Sequence, residues 1–87
     1  MKVSVWDTYV KRQDGLIMHF DILVDHNMTD EQMIFDFGRE YLKSKSFQIQ
    51  ELTSKECVFC HMEKATELVE KEIITKGYHI IEMENCN

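Results

Sequence analysis

Proline is absent from this chain, and glycine occurs only at Gly15, Gly38 and Gly77. No low-complexity tract and no internal repeat interrupts it. Long apolar runs are missing too, so no segment reads as a membrane span. No apolar stretch follows Met1-Lys2, so no secretory signal is read and a cytoplasmic setting is expected. Basic residues are scarce: 10 Lys and Arg stand against 16 Asp and Glu, for a net charge of -6 and a pI of about 5.1. That balance argues against nucleic acid as a partner. No run of like charge reaches five, so there is no acidic tail. Cysteine numbers three, and an odd count excludes a complete intramolecular disulfide framework.

What remains is 87 residues, 44% hydrophobic and 30% charged, enough for a single compact domain spanning 1–87 with one modest core. Lys2 to Val10 is rich in Val, Trp, Tyr and Thr and reads as a strand. Leu16 to Val24 alternates apolar and polar residues and reads as its hairpin partner. A two-residue Asp14-Gly15 turn would pair Tyr9 with Phe20 and put Asp7 on the apolar face. A three-residue Gln13-Asp14-Gly15 loop, with Gly15 left-handed, would pair Trp6 with Ile22 and Val10 with Met18. The second register is preferred, because burying an unpaired carboxylate costs on the order of several kcal/mol.

Thr29-Asp30-Glu31-Gln32 reads as a capping box with Thr29 as N-cap, opening a helix from about Asp30 to Lys45. Phe47, Ile49 and Leu52 suggest a short extended piece. Cys57 to Glu63 reads as a third strand. Thr66 caps a second helix to Lys76, with Gly77 just beyond its end, and Tyr78 to Met83 is a last strand. The predicted order is β-β-α-β-α-β, an α+β fold. Its predicted form has two layers: a four-stranded mixed sheet with two helices packed on one face.

The blocks Val5-Trp6-Asp7-Thr8-Tyr9-Val10, Met18-His19-Phe20-Asp21-Ile22-Leu23-Val24, Phe37-Gly38-Arg39-Glu40-Tyr41-Leu42, Phe59-Cys60-His61 and Ile80-Ile81-Glu82-Met83-Glu84 carry a resemblance. Together they resemble a family of small bacterial proteins catalogued as domain of unknown function number twenty twenty-four. The resemblance implies a compact α+β domain and brings no activity with it.

Two constellations could carry chemistry. Cys57-Val58-Phe59-Cys60-His61 is the sharper motif. As C-x-x-C-H it has the form of a c-type haem site, which needs export. As a thioredoxin-like pair it lacks a helix N-terminus, and Glu56 and Glu63 flank it. Zinc is the better candidate, with Cys57, Cys60 and His61 as three ligands and Cys86, His79, His19 or His26 as a fourth. A regular strand would point Cys57 and Cys60 to opposite faces, so a tight turn would be required. The plainer reading is three reduced thiols.

The second constellation is Asp7, Tyr9, His19 and Asp21, which the preferred register gathers on one sheet face. Like charges directly opposite each other call for a compensating partner: a protonated His19, a Lys or Arg, or a bound cation. The bland alternative is a solvated outer face. Val3, Val5, Tyr9, Ile17 and Leu23 would share that face. With both helices on the other side they would be exposed, and that patch suggests a homodimer. No nucleophile elbow, phosphate loop or H-E-x-x-H occurs, and no catalytic residue is assigned. The expected function is a non-enzymatic interaction or small-ligand-binding module. The alternative is a zinc- or thiol-dependent protein built on Cys57, Cys60 and His61.

Overall fold

Gly15 sits at φ 93, in the left-handed region that suits glycine. Its N–H donates to the Arg12 carbonyl, and the Arg12 N–H donates across to Leu16. Gln13, Asp14 and Gly15 therefore form the loop between β1 (Lys2–Lys11) and β2 (Ile17–Asp25). The resulting antiparallel register pairs Trp6 with Ile22, Val10 with Met18, Tyr9 with His19 and Asp7 with Asp21. This is the preferred one of the two registers, and it keeps Asp7 out of the larger core.

The computed structural model describes residues 1–49 and 56–87. After the hairpin come α1 (Glu31–Lys43), β3 (Cys57–Lys64), α2 (Glu67–Lys76) and β4 (His79–Glu84). The expected element order holds. Asp30, one residue after Thr29, caps α1, its carboxylate accepting from the Met33 N–H at 3.3 Å. Thr66 caps α2 by accepting from Val69, and Gly77 ends it at φ 96. Of the segment read as extended near residue 49, Ile49 bridges Arg12. Leu52 lies outside the described residues.

The sheet order is β3-β1-β2-β4. Among the described residues every strand pairing is antiparallel, so the sheet is not mixed. The tight hairpin leaves one free edge on each of its strands. β3 takes the edge of β1 and β4 takes the edge of β2, so β3 and β4 never become neighbours.

The helices lie on opposite faces, not on one. Ile34, Phe35 and Leu42 of α1 join Trp6, Val10, Met18, Phe20, Ile22 and Val24 in the larger core. Val69 and Ile73 of α2 join Val3, Val5 and Leu23 in a second core, on the face that alternation turns the other way. Three apolar side chains on the second face need a cover, and α2 supplies it. Val3, Val5 and Leu23 are consequently buried, which removes most of the patch that suggested a homodimer. Tyr9 and Ile17, further along the same face, stay exposed.

Arg12, absent from the sequence-based candidates, joins the ends of the fold. Its guanidinium lies 3.8 Å above the Phe47 ring and donates to the carbonyls of Asn85 and Asn87. Asp14 pairs with it at 2.7 Å.

Leu23 discriminates the two layerings. Beneath α2, Leu23→Ala creates a cavity and should cost about 2–5 kcal/mol in urea unfolding. A leucine on a bare outer face would lose about 0.5 kcal/mol or less.

Candidate functional site

The second sheet face changes character along its length. At one end stand Val3, Val5 and Leu23 beneath α2; next come Asp7 and Asp21, then Tyr9 and His19. The hairpin register sets each of those polar pairs side by side. Tyr9 stacks on the His19 imidazole at 4.1 Å between centroids and 11° between planes, which holds the ring's orientation. His19 Nε2 faces the two carboxylates, 3.5 Å from Asp21 Oδ1 and 3.9 Å from Asp7 Oδ1. The side chains of His19 and Asp21 are only 17% and 14% exposed. Both His19 Nε2 and Asp21 Oδ1 are buried atoms without a hydrogen-bond partner. Such atoms are rare in folded proteins and each requires a reason.

β3 adds two further groups. Thr8 pairs with Cys57, Asp7 with Val58 and Trp6 with Phe59, but Val5 pairs with His61. Cys60 is therefore the extra residue of a β-bulge. A bulge turns two consecutive side chains toward one face. Cys60 and His61 both reach the Asp7 face, with the thiol hydrogen-bonding Asp7 and His61 close enough to act on both aspartates. His61 Nδ1 lies 3.2 Å from Cys60 Sγ, and its Nε2 lies 3.6 Å from Glu63.

Cys57 stands on the other face, accepting from the Thr8 hydroxyl at 3.4 Å. The set Cys57, Cys60 and His61 is thus not assembled. The bulge falls between Phe59 and His61, after the chain has already taken Cys57 and Cys60 to opposite sides. Among the four residues considered as a fourth ligand, His19 alone joins the site. His79 meets Glu72 at 3.1 Å, His26 meets Asp25 at 3.3 Å, and Cys86 is buried against the His19 carbonyl. Nor do the thiols have the character of a redox pair. Burial pushes Cys57 up and the hydrogen bond to Asp7 pushes Cys60 up, whereas a reactive thiol is held low.

Below about pH 6 the facing aspartates share one proton. Burial, followed by the hydrogen bond and charge of Asp7, raises Asp21 to about 6. The hydrogen bond from Asp21 holds Asp7 below the usual carboxylate range, with help from Cys60, His19 and His61. Asp7 is thus the anion, and its neighbours donate to it.

Asp7, His19 and Asp21 each offer a ligand atom, all within 4.8 Å of one another. Ligands about 2.1 Å from a tetrahedral ion stand about 3.4 Å apart. The 3.5 and 3.9 Å separations are already close to that spacing. Of the two constellations read in the sequence, the sheet face assembles the second entirely and adds the Cys60-His61 half of the first. Glu63 was missed; it lies two residues beyond His61 on the same strand, so the two share a face.

An antiparallel α+β chain with a polar cluster on an otherwise apolar sheet face is the class defined so far. The chain belongs to the family described as Domain of unknown function (DUF2024), whose sequence profile matches residues 1–83. It is also similar to protein NE1680 from Nitrosomonas europaea, solved by NMR, at 40% identity over 100% of each chain and a TM-score of 0.80. No curated protein matches the chain.

Asp21 has a measurable consequence for stability. Its carboxyl titrates near 6 in the folded chain against 3.8 ordinarily. Between those values the folded state binds more proton, so stability falls as pH rises, and the full cost is present above 6. Asp7 acts oppositely, but its contribution is lost only as pH falls below 3.8. The protein should therefore be more stable at about pH 5 than at pH 7, by on the order of 1–2 kcal/mol in urea unfolding. Asp21→Asn should flatten that slope and stabilise the neutral-pH protein by a similar amount. Equal stability of variant and wild type at pH 7 would contradict the shared proton.

Proposed function

We propose that this protein is a non-enzymatic small-ligand-binding module whose ligand is a divalent transition-metal cation. The ion sits between Asp7, His19 and Asp21 on the open end of the second sheet face. The observation that carries this reading is the burial of His19 Nε2 and Asp21 Oδ1, which face each other at 3.5 Å with no hydrogen bond to either. Buried polar atoms left so cost free energy, and a cation coordinated by both would recover it.

An ion would also offset the repulsion of two aspartates placed directly opposite each other on adjacent strands. Below about pH 6 a single proton performs that service, and a cation displacing it would release it to solvent. The imidazole marks the ion as one of the zinc class, since magnesium and calcium take oxygen ligands. The Nitrosomonas europaea relative supports a bacterial source. Free Cys57, Cys60 and Cys86 suit a reducing interior. A homodimer forms no part of this proposal, because α2 already covers Val3, Val5 and Leu23.

Calorimetric titration of untagged, chelator-stripped protein with zinc tests it. One ion should bind per chain and raise the melting temperature. His19→Gln and Asp21→Asn, both expected to fold, should each weaken binding by about tenfold or more, as loss of a ligand does. Absence of saturable binding, or undiminished binding by both variants, sinks the reading.

A further inference from the structure

The bulge of β3 lies on an edge strand of the sheet. Edge strands use bulges to blunt their free side, and bulges also re-aim a side chain toward a site. Here the re-aimed residues are Cys60 and His61, and they arrive against Asp7. Without the bulge, His61 would lie on the α1 face beside Phe59. With it, a thiol, two imidazoles and two carboxyls converge on one patch of sheet.

We infer that Cys60 is the sulfur ligand that completes the cation site of Asp7, His19 and Asp21. This rests on the cation reading above and narrows it, since a thiolate selects a borderline-soft ion such as zinc over hard oxygen-seeking ions. In the metal-free chain Cys60 Sγ is not among the atoms grouped within 4.8 Å, but it already hydrogen-bonds Asp7, which is one of them. The Cys60 side chain is exposed, so a change of its χ1 rotamer meets no packed core. A rotation toward Asp21 moves sulfur from an oxygen of the site to the ion itself.

The chemistry is a ligand exchange with no change of oxidation state. The S–H bond breaks, its proton goes to water and a sulfur–metal bond forms. A divalent ion reverses the local charge, and a coordinating thiol gives up its proton outright. His61, 3.2 Å from the sulfur, then serves as the neighbour that orients it. Four protein donors, Asp7, His19, Asp21 and Cys60, make a closed tetrahedral set, which is the form of a structural or storage site rather than a catalytic one.

Cobalt(II) is the probe, because thiolate coordination adds an intense near-ultraviolet sulfur-to-cobalt charge-transfer band that oxygen and nitrogen ligands do not. The chelator-stripped full chain is titrated with cobalt(II), with absorption and heat followed in parallel. The wild type should show the band rising to one equivalent. Cys60→Ser should bind with about tenfold or more lower affinity and lose the band, while Cys86→Ser keeps it. Heat of binding without the band in the wild type, or a band that survives Cys60→Ser, overturns the sulfur ligand and leaves the cation site standing. No heat and no band removes both. Circular dichroism of Cys60→Ser should match the wild type, as expected for an exposed side chain.

Discussion

A loop of three residues, turned by Gly15 at φ 93, sets Trp6 opposite Ile22 and Asp7 opposite Asp21. The rest of the molecule depends on that pairing. Strand side chains alternate, so a slip of one residue sends a strand's whole apolar set to the other face. In the slipped register Asp7 would enter the larger core, and Trp6 and Val10 would leave it. With the observed one, Trp6, Val10, Met18, Phe20, Ile22 and Val24 form a continuous apolar surface for α1. The same pairing aligns Asp7, Asp21, Tyr9 and His19 on the reverse side. Core and candidate site are therefore two faces of one constraint, and neither can be altered through the loop without the other.

The reverse face explains where α2 lies. It is apolar at Val3, Val5 and Leu23 and polar from Asp7 and Asp21 onward. A ten-residue helix with only Val69 and Ile73 buried can cover the apolar end and little more. Covering the polar end would bury two carboxyls and an imidazole, at a cost of on the order of several kcal/mol for any left unpaired. The open site is thus a consequence of how far the apolar stretch extends. Its rigidity comes from its placement on β1 and β2, the two inner strands, each paired on both sides.

Much of this was legible in the sequence, and the reasons are local. Gln13-Asp14-Gly15, the alternation of Leu16 to Val24, Thr66 and Gly77 each obey rules that operate within a few residues. The layering was less legible, because it depends on which edge a distant strand joins. Val3, Val5 and Leu23 were the signal for a second covering helix, and they were read instead as a surface for another copy. The Cys57-Cys60-His61 motif failed as a unit for a similar reason. Its spacing along the chain is that of a metal loop, yet its conformation is extended, and extended chains part residues three apart. No composition or period in β3 marks the bulge. It arises from the pairing of Val5 with His61, a contact about 56 residues apart in the chain.

The bulge also bears on how the site balances charge. Two aspartates side by side on neighbouring strands repel, and the fold tolerates them by protonating one and directing donors at the other. Asp7 gathers those donors because β1 lies between β2, which carries Asp21 and His19, and β3, which carries Cys60 and His61. An inner strand alone can be approached from both sides in this way. Below about pH 6 the cluster is thus held by a proton between the aspartates and a thiol hydrogen bond to Asp7. A cluster held by removable protons on a fixed sheet would need little reorganisation for the proposed cation to replace them, which is the condition under which a domain this small could bind it tightly.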